Sequence, residues 1–509
     1  MPETAAPPLW KRVATVSGWT LLSRVLGLVR DRLWAGAMGG SPMLDAFLAA
    51  FQLPNLLRML FGEGALTAAA LPRYVQLRER DPAAAEAFVG QVLARMALWL
   101  SVVAALGMAG AAAVCWWWPS WKTGMIALLV LPMIPYLVFI CISAVLGAVL
   151  NARRCLWVPA AAPVILNVAL ISTVWLDPEA EAAWLPYAVL AAGILTVAFH
   201  LWAVRRRGGI PAPSMASGPD LKAMGPQLGS SVFSSGVYQI GAFIDTQVAY
   251  LLIASPGAVA ALFFANRLLQ FPMALIGHGT STASFPELAA AAARGWDASG
   301  AVLRQGAGFM AYWLVPAAVG LLVCAEPLVR TIYQTGGFGE DEVARTVLAT
   351  RIMALGLIPV ALAKFSLRLF QAHHDARTPM RVSLATVGGN VVLTLILVWP
   401  LAEAGIALAG AVAGGASYAA YVVLLRRRGA GTPVPWSALR RPLAGGLAMG
   451  LAVAGLFHAW PQPADGGTLA AVVRLAAGVV LGAAVYVPIA GLHGLRRRRA
   501  AGATTPDPE

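Results

Sequence analysis

The run S-R-V-L-G-L-V-R-D-R-L fills residues 23–33, and L-P-N-L-L-R occupies 53–58. Both lie in chain that is otherwise strongly apolar, so Arg24, Arg30, Arg32 and Arg58 fall inside what read as the first two membrane spans. An arginine near the bilayer centre costs about 2.5–3.5 kcal/mol even on the lenient insertion scale. Four facing lipid would cost on the order of 10 kcal/mol, the size of a whole domain's stability. They are therefore expected to face a wet cavity lined by protein, and a cationic cavity inside a membrane implies an anionic cargo.

Outward from these two stretches the same pattern continues. The 509 residues are 59% hydrophobic and 12% charged, against about 25% charged in a soluble protein. The chain is a polytopic membrane protein. Its net charge of +14 would suit nucleic acid, but the arginines lie between hydrophobic runs, where the positive-inside rule accounts for most of them. Cys115, Cys141, Cys155 and Cys324 form no C-x-x-C pair and no disulfide or metal framework. His373–His374–Asp375 reads as a loop, not a metal cluster. No G-x-x-x-x-G-K-[ST] occurs, which argues against an ATP-driven pump. The polar, Pro-rich first ten residues lead into no cleavage site, so the first span is expected to be an uncleaved anchor.

Apolar runs of roughly 20 residues predict fourteen spans, near 16–40, 44–72, 85–118, 125–150, 157–176, 183–204, 222–253, 257–287, 300–323, 345–371, 380–400, 403–425, 438–460 and 467–493. Alternate loops carry the basic clusters, among them Arg153/Arg154, Arg205–Arg206–Arg207, Arg377/Arg381 and Arg426–Arg427–Arg428. The opposite loops hold little beyond Lys122, Arg330 and Arg345. An even number of spans puts both termini on the basic, cytoplasmic side.

An internal repeat is visible. Q-L-P at 52–54 recurs as Q-F-P at 270–272, and N-A-R at 151–153 as D-A-R at 375–377, with an intramembrane asparagine, Asn167 or Asn390, downstream of each of the latter pair. The expected fold is all-α: a six-helix lobe over 1–207, a second over 208–428 and a central cavity between these repeats. Two extra helices follow over 429–495, and 496–509 is a cytoplasmic tail. Charged residues collect in spans 1, 2, 7 and 8. Arg24 and Asp31 share a helical face. Span two carries Asp45, Gln52, Asn55, Arg58 and Glu63 around Pro54, with Arg58–Glu63 as an alternative structural ion pair. Ser231, Ser234, Tyr238 and Asp245 fall in one sector of span seven. Span eight adds Asn266, Arg267, Gln270 and His278, with Arg267 and His278 nearly eclipsed three turns apart. Arg32 lies close enough to a membrane edge to snorkel.

With these motifs in view, S-R-V-L-G-L-V-R-D at 23–31, D-A-F at 45–47, L-P-N-L-L-R at 53–58, G-E-G-A at 62–65 and N-R-L-L-Q-F-P at 266–272 resemble the MurJ (MviN) family of lipid II flippases. That family belongs to the multidrug/oligosaccharidyl-lipid/polysaccharide exporter superfamily. The resemblance implies a transporter, not an enzyme, that carries lipid II from the inner to the outer leaflet of the bacterial cytoplasmic membrane for peptidoglycan synthesis, by alternating access. It implies a substrate set of Arg24, Arg30, Arg58, Arg267 and Asp45, with Glu63, Asn55 and Gln270 as further polar positions. Asn266 departs from an acidic residue that some members place before the second-half arginine. The resemblance also implies a monovalent ion, sodium at Asp245, Asn390 and Thr394 or else chloride. Expected partners are lipid II and membrane lipids, with no nucleic acid and a monomeric state. The chemistry agrees, since an arginine fork matches diphosphate oxygens and keeps its charge at every accessible pH. Alternatives are an exporter of another lipid-linked oligosaccharide, or a membrane enzyme acting on polyprenyl phosphates, which would need large outer loops carrying carboxylates or histidine.

Overall fold

The computed structural model describes residues 9–59, 66–118, 120–176, 183–216, 218–461 and 467–491, with side chains omitted at 9–13, 66–71, 219, 222–235, 237, 238 and 468. Among them the secondary structure is helical throughout. The helices are α1 (Leu9–Met38), α2 (Pro42–Leu57), α3 (Leu66–Arg80), α4 (Pro82–Trp117), α5 (Trp121–Met133), α6 (Tyr136–Ala152), α7 (Trp157–Leu176) and α8 (Leu185–Arg206). They continue with α9 (Pro219–Leu252), α10 (Ala258–Pro272), α11 (Gly279–Ala292), α12 (Trp296–Tyr333), α13 (Glu340–Ala372), α14 (Arg377–Arg427), α15 (Trp436–Ala459) and α16 (Thr468–Ala490).

These helices account for the fourteen expected spans. Span two holds α2 and α3, span four is interrupted at Pro135 between α5 and α6, and span eight is α10 and α11 joined by a π-helical turn over Met273–His278. The 51-residue α14 holds two spans, divided at Ala402, whose φ of 48° and ψ of −131° reverse the chain. Ten helical stretches among the described residues are long and apolar enough to cross a membrane by length and composition. Spans one, two and seven are not among them; α2 and α3, at 16 and 15 residues, are each too short to cross alone. The ninth span is longer than expected. Arg330 reads as a loop charge, but it pairs with Glu326 one turn away, at 3.0 Å, on a helix that runs to Tyr333.

By contacts the chain groups into two compact units, Met1–Ala260 with Thr335–Phe338, and Ala261–Gln334 with Gly339–Glu509. The first unit has an apolar core where α3, α4, α6 and α8 meet, around Phe88, Leu146, Val149, Leu150 and Val204. Arg153 closes one end of it. The guanidinium donates to both Glu86 carboxylate oxygens at 2.7 Å, to the Tyr74 hydroxyl at 3.3 Å, and to the carbonyls of Val204 and Gly209. Burial works against this charge, yet the bonds to Tyr74 and Glu86 outweigh it and hold the Arg153 pKa above its ordinary value.

The segment Thr335–Phe338 seats on the end of α1. Gly337 N–H donates to the Gly36 carbonyl at 2.7 Å. The approach needs glycine, since a Cβ at Gly39, whose φ is +54°, would lie 2.1 Å from the Gly337 oxygen.

The second unit is built on α11 to α14, packed through Met310, Leu314, Leu357, Phe365, Leu369 and Tyr421. Helices α15 and α16 pack together around Met449, Val453 and Tyr486. They join α12 closely, because Gly446 and Gly450 present no side chain to Val315 and Val319. Arg474 of α16 is buried, and it caps the end of α15 by donating to the carbonyls of Trp460 (2.5 Å) and Phe457 (2.9 Å).

The repeat appears in the backbone as well. Q-L-P and Q-F-P each precede π geometry, at Arg58 and Met59 after Pro54, and at Met273–His278 after Pro272. The second motif pair needs correction. Helix α6 ends with Cys155 N–H bonded to the Leu150 carbonyl and Arg154 at φ 60°, while α13 ends with Asp375 N–H bonded to the Phe370 carbonyl and His374 at φ 55°. The counterpart of N-A-R-R at 151–154 is therefore Q-A-H-H at 371–374, a shared left-handed helix cap, and not D-A-R at 375–377.

Candidate functional site

Helix α1 carries three arginines in three environments. Arg24 is exposed and has no hydrogen bond or ion pair among the described residues. Arg32 is half-buried. Arg30 is buried, its Nε and Nη2 3.0 and 2.6 Å from one Asp31 oxygen and its Nη1 3.1 Å from the Asn167 amide oxygen of α7. The Asn167 amide in turn donates to the Ser23 carbonyl and hydroxyl, and Trp34 stacks 4.7 Å from the guanidinium carbon. The wheel relation of Arg24 to Asp31 does not become this contact. A long arginine side chain curls back onto its neighbour, and Asp31 pairs with Arg30.

On α2, Arg58 donates to the Asn55 amide oxygen from Nε (3.3 Å) and Nη2 (2.8 Å), and both residues are half-buried. Gln52 is half-buried one turn before Asn55. Asp45 is buried, and its carboxylate accepts from the backbone of Gly257 (2.7 Å) and Ala260 (2.8 Å), at the start of α10. Those amides belong to the first, unpaired turn of a helix, where a carboxylate also meets the positive end of the dipole. The other end of the same hairpin is held by Lys122, whose ammonium donates to the carbonyls of Tyr250 (2.7 Å) and Ile253 (2.6 Å) at the end of α9. Glu63 lies outside the described residues, as do the side chains of Ser231, Ser234 and Tyr238. Asp245 is half-buried on α9.

In the second unit, Arg267 is half-buried, with Nη1 3.4 Å from the exposed Gln270 and its guanidinium carbon 6.0 Å from the Phe263 ring. Asn266 and His278 are exposed. The eclipsed placing of Arg267 and His278 does not survive the π turn between them, because i→i+5 bonding inserts a residue and rotates the downstream side chains by about 100°. Asn390 and Thr394 are buried one turn apart on α14.

Within each unit the structure therefore brings an arginine to an amide side chain three residues away, Arg58 to Asn55 and Arg267 to Gln270. An amide oxygen orients a guanidinium without carrying a charge of its own. Sequence reasoning missed Asn167, Ser23 and Lys122 as partners in the first unit. One signal was available for Asp45, since α10 starts at Gly257–Ala258 with no Ser, Thr, Asp or Asn in capping position, so its cap had to come from elsewhere.

A helical chain of many spans, broken by proline and π turns and carrying arginines within its spans, has the architecture of a membrane transporter. The solved structure titled "Inward-facing conformation of a multidrug resistance MATE family transporter of the MOP superfamily" shares this fold, with a TM-score of 0.68, 14% identity, and coverage of 84% of this chain and 98% of that one. A second, titled "Lipid II flippase MurJ, inward closed conformation", matches with a TM-score of 0.79 and 20% identity over 96% of this chain and 99% of that one. The family model "Lipid II flippase MurJ" matches residues 34–473. A "Probable lipid II flippase MurJ" of Rhizobium tropici is 33% identical over 96% of this chain and 94% of its own length. The "Lipid II flippase MurJ" of Burkholderia cenocepacia is 30% identical over 97% and 99%. The chain belongs to the lipid II flippase MurJ family, a family of transporters and not of enzymes.

Proposed function

We propose that this protein carries lipid II, an undecaprenyl-diphosphate-linked disaccharide peptide, from the inner to the outer leaflet of the bacterial cytoplasmic membrane by alternating access. Arg24 is the observation that carries this reading. It is accessible in the middle of a membrane helix, where only water or an anion relieves the cost of its charge. Arg30, Arg58 and Arg267 are the further arginines of the proposed diphosphate-binding set, and Asp45, Glu63, Asn55 and Gln270 its proposed polar members. Residues 1–207 and 208–428 act as the two repeats, and the helices after 429 shelter the polyprenyl tail. Both termini lie in the cytoplasm and the protein works as a monomer.

Protein reconstituted in vesicles, without ATP, is expected to equilibrate labelled lipid II between leaflets. Arg24→Ala and Arg267→Ala are expected to abolish this and to fail in complementing a flippase-depleted bacterium while still inserting. Normal growth on both variants would refute the cationic-cavity reading. Native mass spectrometry against other lipid-linked sugars tests the head group, and preference for a different one would favour the sibling exporter. The ion reading of Asp245, Asn390 and Thr394 is tested by transport in sodium, potassium and choline chloride. Equal rates in all three would remove it.

A further inference from the structure

Helices α12 and α13 border an open cleft of about 230 Å³, at the ends that charge alternation assigns to the outer face. Three of its charged residues are engaged with one another. Arg330 donates from Nε to Glu326 (3.0 Å) and from Nη1 and Nη2 to Glu340 (2.7 and 2.8 Å), and the Gln334 amide adds a bond to Glu340.

Arg351 differs. Its Nε donates to the Leu322 carbonyl (3.2 Å), which leaves both Nη groups without a partner among the described residues. It is exposed, and it lies eleven residues into α13, about 16 Å along the axis from Glu340. Leu348 and Leu355, 50% and 61% exposed, flank it at three and four residues' distance on the same stripe. An arginine on a lipid-facing stripe, below the helix end, is the kind of residue that membranes retain for a specific partner.

The cleft holds two carboxylates and two guanidiniums, so its formal charge is zero. A purely anionic ligand meets as much repulsion as attraction there. A ligand carrying both signs meets a partner for each. Leu322, where Arg351 is anchored, is one helical turn, about 5.4 Å, from Glu326 on α12, so a guanidinium fork and a carboxylate border the cleft from neighbouring turns, as a headgroup with a phosphate and an ammonium requires. The volume is below the roughly 300 Å³ of drug-sized pockets and suits a headgroup whose chains lie outside it, along Leu348 and Leu355.

We propose that this cleft binds the headgroup of phosphatidylethanolamine, with its phosphate on Arg351 and its ammonium on Glu326. The site is separate from the arginines assigned to cargo, and the transport reading stands or falls without it.

The test uses the full-length protein, delipidated in detergent, titrated by native mass spectrometry with phosphatidylethanolamine, phosphatidylcholine and phosphatidylglycerol of identical acyl chains. Phosphatidylethanolamine is expected to bind about tenfold more tightly than either of the others. Arg351→Leu, which keeps the stripe apolar, should weaken all phosphate-bearing lipids at this site about tenfold. Glu326→Gln should erase the preference over phosphatidylcholine alone. Equal affinity for the three lipids, a preference for phosphatidylglycerol, or an unchanged preference in both variants would overturn the proposal. Soluble glycerophosphoethanolamine is expected not to bind at matched concentration. Binding as tight as that of the lipid would make this a site for a free metabolite and overturn it likewise.

Discussion

Replacing Asp45 by alanine removes both acceptors of the Gly257 and Ala260 amides at once, in a place where water has little access, since Asp45 is 5% exposed. A buried donor left without its acceptor costs about 1–3 kcal/mol, and loss of a carboxylate at a helix N-terminus adds about 0.3–1 kcal/mol. With two such donors, the opening free energy of the first turn of α10 should therefore fall by roughly 2–7 kcal/mol. At about 1.4 kcal/mol per factor of ten, amide exchange there accelerates at least thirtyfold or so. Asp45→Asn keeps one acceptor oxygen and should fall between alanine and the parent. Hydrogen–deuterium exchange on peptides covering 253–262 measures this directly, with the α15–α16 pair as internal control. If alanine leaves protection within about threefold of the parent, or asparagine proves worse than alanine, the capping argument is wrong.

Gly39→Ala forces a methyl group against the Gly337 carbonyl and holds a left-handed backbone at a cost of about 1–2 kcal/mol. Maleimide labelling of a Thr335→Cys reporter should rise several-fold in Gly39→Ala over the Gly39 parent; identical labelling in the two proteins counts against a seated segment. Arg30→Ala removes the guanidinium that bonds the buried Asp31 carboxylate and the Asn167 amide, and should cost about 3–5 kcal/mol, visible as a large drop in melting temperature, whereas Arg24→Ala should stay within about 0.5 kcal/mol; equal drops would show the two sites to be structurally alike. Ala402→Gly relieves about 1–3 kcal/mol of backbone strain at the turn inside α14 and should raise the melting temperature; a lower one would mean the methyl group contributes packing that outweighs the strain.

The spans were legible because apolar length needs no tertiary context, and even the turn inside α14 showed itself through Pro400 between two apolar runs. The ends of α12 and α13 were not legible. A charged pair one turn apart resembles a loop until the helix beneath it is known, as Glu326 and Arg330 illustrate. At the candidate site the sequence displayed the charges and hid their partners. Asp45 answers to backbone amides, which leave no mark in a sequence, and Arg30 answers to Asn167, 137 residues away. Helical wheels failed where the helix itself departs from 3.6 residues per turn, which is why the eclipsed placing of Arg267 and His278 does not hold across the π turn.

The π turns after Pro54 and Pro272 act as dislocations in an otherwise regular hydrogen-bond ladder. A dislocation travels by exchanging one bond for its neighbour, so the number of bonds is nearly conserved as it moves. Each residue of travel carries one side chain about 100° around the axis. Spans two and eight, which hold Arg58 and Arg267, can therefore re-aim side chains by stepwise slippage within an intact helix, a motion that neither a hinge nor a rigid rod offers.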